Sequence, residues 1–121
     1  MISRPIVEDE FMQISYEEFR KIEMRVGRVL EVEDFPAARD PSYRLKIDFG
    51  KEVGVKTSIA QITVHDKAEL LGYAVIGVVN FPPKRIAGFD SEVLTLGVSN
   101  GQGSWVVIRP VKEVELGTRV E

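Results

Sequence analysis

Apolar and polar residues alternate most cleanly over YRLKIDF, residues 43–49. Tyr43, Leu45, Ile47 and Phe49 fall on one side, and Arg44, Lys46 and Asp48 on the other. A period of two predicts a strand with one buried and one charged face. Alternation also starts at Met24 and Val26, breaks at Gly27 and resumes in shifted phase at Val29, Leu30 and Val32. A glycine at a phase change predicts a bulge or tight bend, as barrel corners require. GKEVG (50–54) is a turn, and VKTSIAQITV (55–64) predicts a third strand. YAVIGVVNF (73–81) predicts a fourth, apolar enough to be buried on both faces, with a neighbouring subunit as one cover. SEVLTLGVS (91–99) is a fifth. Asn100-Gly101 marks a hairpin into SWVVIRP, and VKEVELGTRVE is placed at a sheet edge.

Two short helices interrupt this pattern. In ISYEEF, Ser15 and Glu18 have capping-box spacing, with Ile14 and Phe19 in the positions of a hydrophobic staple. In DKAELLG, Asp66 is the cap, Glu69 the third position and Gly72 the stop. Residues 1–13 show no clean period, and 1–14 are expected to be an N-terminal extension, leaving 15–121 as one domain. Helix, three strands, short helix, two strands and further β pieces predict an all-β fold with short helices. The expected architecture is a five-stranded OB-fold Greek-key barrel with an N-terminal helix and extra C-terminal β elements. An SH3-like or other small barrel is the alternative.

The 121 residues are enough for a self-sufficient core. There is no cysteine, which excludes a disulfide scaffold, a thiolate zinc site and a thiol nucleophile. No apolar run approaches a membrane span, and MISRPIVEDEF carries acids where a secretory signal is apolar, so a cytoplasmic protein without membrane contact is expected. The net charge is −3, but it is uneven. Residues 35–85 hold eight Lys/Arg against five Asp/Glu, while both flanks are acidic. Gathered on one face, that basic centre attracts polyanions; spread out, it only solubilises strand faces. The one histidine, His65, is read as an exposed loop residue. No Ser or Thr has a base partner in view, no acidic loop has EF-hand spacing, and Gly101-Gln102-Gly103 lacks a strand-to-helix context. The expectation is no enzyme, no cofactor and no metal.

The basic centre ends in NFPPKRIAGF (80–89). Pro82 and Pro83 stiffen this loop and bias Phe81 to an extended backbone. Lys84 and Arg85 are consecutive, so their side chains diverge, and stiffness lowers the entropy lost when they engage a partner. Gly88 allows positive φ or a close approach to the backbone. A solubilising hairpin is the plainer reading. Lys56 and Ser58 share a face of the third strand, with Gln61 beyond; this is either an exposed polar face or a hydrogen-bonding one. Arg39, Arg44 and Lys46 lie on or beside the second strand. In OB-folds the second and third strands form the usual oligonucleotide face. Tyr43 and Phe81 are core residues or stacking platforms. The alternative ligand is unfolded polypeptide in an apolar groove lined by Phe35, Phe81, Ile86 and Phe89.

FRKIEMRVGRVLEVEDFPAARDPSYRLKIDFG, KTSIAQIT, VVNFPPKRIAGFDSEVLTLGV and LGTRV resemble the CsaA family, within the wider group of tRNA-binding domains. The likeness runs over about residues 17–120, and NFPPKRIAGFDSEVL is its most specific part. It implies an OB-fold, a homodimer, no catalysis and two roles: binding tRNA or other structured RNA, and chaperone-like binding of unfolded or export-bound polypeptide. It further implies an RNA face of Ser58, Gln61, Asn80, Lys84, Arg85 and Ser91, with Lys56 and Arg39 nearby. The leader MISRPIVEDEFMQI is longer than this family pattern.

Overall fold

The computed structural model describes residues 12–121. Most of the extension expected over residues 1–14 therefore lies outside the described residues. Helix α1 spans Tyr16–Arg20. Its capping box is complete: Ser15 Oγ accepts from the Glu18 amide at 3.1 Å, and Glu18 Oε1 accepts from the Ser15 amide at 3.1 Å. Ile14 stays mostly exposed, so the staple buries little.

Strands β1 (Met24–Asp34) and β2 (Tyr43–Asp48) form an antiparallel pair. Helix α2 (Gly50–Val53) replaces the expected turn, and β3 (Val55–Ala60), α3 (Lys67–Leu70) and β4 (Ala74–Val78) follow. The predicted fifth strand is broken into β6 (Phe89–Ser91), β7 (Leu94–Thr95) and β8 (Gly97–Ser99). Strand β5 (Lys84–Ile86) precedes them and β9 (Trp105–Val107) ends the series. The main sheet has the order β3-β2-β1-β4-β7. Strand β3 meets β6 and β7 across the remaining gap, which nearly closes a five-stranded antiparallel barrel of OB type. Among the described residues, no helix is long and apolar enough to cross a membrane.

The gap is bridged by side chains as much as by backbone. The amides of Glu92 and Val93 donate to the Thr57 carbonyl, and the Ile59 amide donates to Ser91 Oγ at 2.9 Å. The core is built on Leu45, Ile47, Phe49, Val29, Val75 and Leu70, all essentially inaccessible. Phe49 fills the barrel's middle and explains Gly27. A Cβ at Gly27 would meet Ile47 Cγ2 at 2.6 Å and the Phe49 ring at 2.7 Å. The register shift of β1 lies between Val29 and Glu31, so the bulge is displaced from the glycine and Gly27 serves close packing.

The C-terminal segment packs at an edge, as expected. The Gly117 amide donates to the Val26 carbonyl at 2.8 Å, Val120 N to Met24 O at 2.8 Å, and Arg25 bridges Arg119. Val75, Ile76 and Val78 of β4 are buried within the single chain, so no second subunit is needed to cover them.

Candidate nucleic-acid interface

Residues 84–91 form a hairpin rather than an irregular loop. Lys84 pairs with Ser91, Arg85 with Asp90 and Ile86 with Phe89. The turn is Ala87-Gly88, with φ of 47° and 86°. Positive φ at both central residues is the twist-matched two-residue turn that hairpins favour. Neighbouring strand residues point to opposite faces, which separates the two cations. Lys84 lines a groove and forms no ion pair among the described residues. Arg85 faces the other way and binds Asp90, Nη1 to Oδ1 at 3.0 Å.

The groove has a volume of about 650 Å³. Lys84, Ile86 and Ser91 of the hairpin meet Gln61, Phe81, Leu94 and Trp105 there. It thus unites residues read from the sequence as RNA contacts with others read as peptide contacts. Phe81 stands half exposed on its rim. Trp105 comes from β9 and was not among the sequence candidates. Its only local signal is being the one tryptophan, just after the Asn100-Gly101 hairpin.

Several candidate residues are placed elsewhere. Ser58 is completely buried, and its Oγ shares a 2.7 Å hydrogen bond with Thr95 Oγ1. It pairs with Leu45, so it faces the core and offers nothing to a surface ligand. Lys56, opposite Ile47, lies on the same side and approaches Glu92 at 3.9 Å. The Ser91 hydroxyl is taken by the Ile59 amide and the Val93 carbonyl. The Asn80 amide donates to Lys21 O at 2.7 Å while its oxygen accepts from Glu23 N at 3.0 Å, tying the end of α1 to β4. Arg39 lies exposed in the loop after β1, beside a second hollow of about 350 Å³ that includes Phe35.

The expected peptide groove is also divided. Phe35 is buried, and its ring packs edge-on against Phe89 at 5.4 Å. Arg44 covers the other ring at 4.8 Å from its centroid, so Phe89 is already engaged. Only Phe81 and Ile86 of the four line the groove.

His65 is not the exposed loop residue expected. Its ring is largely buried; Nε2 accepts from the Val107 amide at 3.1 Å and Nδ1 meets Glu69 Oε1 at 3.0 Å. That arrangement fixes β9, and hence Trp105, to α3. Asp66 sits at the cap of α3 without a side-chain capping bond. Among the described residues, no group of three or more His, Asp or Glu side chains is placed to hold a metal ion.

A family model described as "Putative tRNA binding domain" matches residues 24–119. The chain is 39% identical over 114 residues to a methionine–tRNA ligase of Pyrococcus horikoshii, covering 93% of this chain and 15% of that enzyme. The crystal structure of chaperone CsaA from Bacillus anthracis matches with a TM-score of 0.85 and 44% identity, over 91% of this chain and 100% of that one. The CsaA chaperone protein from Picrophilus torridus matches at 0.84 and 47%, over 90% and 100%. The chain therefore spans about 15% of the length of the ligase and all of the two CsaA structures.

Proposed function

This chain belongs to the CsaA family of tRNA-binding domains, and from that premise we propose that it is a non-catalytic, homodimeric module that binds tRNA or other structured RNA. The family match over residues 24–119 carries the reading, because it spans both the groove and the 84–91 hairpin. Lys84 at the groove and Arg85 on the reverse face supply charge for phosphates, with Arg39 as a further exposed cation. Shape and backbone, rather than sequence, are what such cations read on a folded RNA. A cytoplasmic setting follows from a tRNA ligand. The exposed apolar residues Val98, Val106, Ile108 and Val111 support a two-fold seam on the β8–β9 hairpin and the tail after it. Sedimentation of the full chain gives the oligomeric state directly.

The test is a titration of total tRNA onto the wild type and the Lys84→Ala/Arg85→Ala variant, at low and moderate salt. Wild-type affinity should fall with salt, with a log–log slope of roughly −0.7 to −0.9 per phosphate neutralised. The double variant should lose most of that affinity. Absence of wild-type binding at low salt refutes the RNA reading.

A second reading is chaperone-like binding of unfolded polypeptide. It is favoured by the apolar groove wall of Phe81, Ile86, Leu94 and Trp105 and by the likeness to the two CsaA chaperones. Burial of apolar surface is not screened by ions, so this binding should persist at salt that abolishes RNA binding.

A further inference from the structure

The polar groups around the groove are unevenly occupied. Glu92 is on its wall, but Oε1 accepts from Thr57 N and Thr57 Oγ1, and Oε2 faces Lys56. Ser91 is satisfied on both sides, and Thr95 is bound to Ser58. Gln61 uses its backbone carbonyl for Trp105 N and Ser104 Oγ, while its side-chain amide has no partner among the described residues. Lys84 is likewise free among them. One unpartnered amide, one ammonium and two accessible aromatic rings, Phe81 and Trp105, therefore share a single groove.

We propose that this groove is a subsite for one unpaired nucleotide of an RNA: its base stacks on Phe81 and Trp105, Gln61 reads the base edge, and Lys84 holds the phosphate. This rests on the RNA-binding reading and names the part of the RNA that the groove takes. The volume lies in the range of sites for small ligands. A base has an apolar face for the rings and an edge of donors and acceptors that an amide can meet in either sense. Its phosphate supplies the charge that Lys84 lacks. A base-paired duplex keeps its bases stacked inside and offers no free face. An apolar peptide would fit the rings but bring no anion to Lys84, whose exposed ammonium would stay in water. Charge complementarity therefore selects the nucleotide.

Trp105 is the only tryptophan, so its emission reports the groove's occupant. A short single-stranded oligoribonucleotide and its base-paired duplex are titrated onto the full chain, with total tRNA and a permanently unfolded polypeptide in parallel. Saturable quenching by the single strand, and little by the duplex, is expected. Phe81→Leu keeps apolar bulk at a half-exposed site but removes the ring; it should weaken single-strand binding roughly 5- to 150-fold, the size of one lost stack. Gln61→Ala should flatten preferences among the four homopolymers. If tRNA binds in a salt-dependent way but the single strand does not quench, the subsite is wrong and the RNA reading stands. If neither RNA binds, both fail. If the unfolded polypeptide shifts Trp105 emission and Phe81→Leu leaves that shift intact, the groove is an apolar peptide site and the proposal is overturned.

Discussion

Ser58 and Thr95, 37 residues apart, share a 2.7 Å hydrogen bond inside the barrel. Ser58 is fully buried and Thr95 nearly so. Each hydroxyl thus satisfies the other where β3 meets β7, at the closing gap of the sheet. Removing one partner strands the other, at a cost of about 1–3 kcal/mol; removing both with apolar groups of similar shape is far cheaper. Ser58→Ala should lower the unfolding free energy by that cost, read as a lower urea midpoint at unchanged slope, and Ser58→Ala/Thr95→Val should recover much of it. The same single variant should bind tRNA like the wild type once folded. A loss of RNA binding without a loss of stability would put Ser58 back on the interface.

Ala87 adopts φ of 47° at the first central position of the 84–91 hairpin. This left-handed conformation costs an alanine about 1 kcal/mol, whereas asparagine tolerates it. Ala87→Asn creates the Asn-Gly pair preferred in such turns. It should stabilise the hairpin by up to about 1 kcal/mol. Slower amide exchange at Ile86 and Phe89 in the variant is the expected sign, and unchanged exchange would show that the turn carries no strain.

The sequence was legible where a signal is local. Alternation over 43–49 fixed β2, and the Ser15–Glu18 spacing located the start of α1. Of the two readings open for Gly88, positive φ or a close approach to its backbone, the turn takes positive φ, at 86°. It misled where partners are distant. Polar residues on β3 suggested an exposed face, yet Ser58 faces the core because Thr95 answers it from another strand. His65 looked exposed because the backbone partner of its ring, Val107, lies 42 residues away. The fifth strand broke because Leu96 bonds Ile76 O while β8 turns off to pair with β9, with Gly97 lying against Trp105 Cβ. Gly97 and Trp105 of the groove wall come from that detour. That Lys84 and Arg85 diverge was legible from their being consecutive, but which of the two lines the groove appeared only with the strand pairing.

Tyr43 gives a pH test of the core. Its hydroxyl donates to the His65 carbonyl at 2.8 Å, and burial, then the neighbouring Asp34 carboxylate, raises its pKa above the usual value near 10. The folded state thus favours the neutral phenol. Its contribution is fully present below the unfolded value and is lost as pH climbs through the raised one. In an alkaline titration followed by tyrosinate absorbance, one of the three tyrosines should ionise late. Tyr43→Phe should remove that late component. A late component that survives the substitution would assign it to another tyrosine.

Arg85 and Asp90 form a pair with both side chains mostly exposed, so breaking it should cost less than about 1 kcal/mol. Its consequence is for binding. Asp90 places a negative charge beside the cation that would meet a phosphate. Asp90→Asn removes that charge and frees Arg85 while keeping the side chain's shape. Under the RNA-binding reading, tRNA affinity at low salt should rise and the log–log salt slope should steepen by about 0.7–0.9, one more phosphate contact. Lys84→Ala should shift the slope the other way, because it removes a cation that would neutralise a phosphate. Weaker binding by Asp90→Asn would instead mean that the carboxylate holds Arg85 in its working orientation. The sign of that one change distinguishes a cation held in check from a cation held in place.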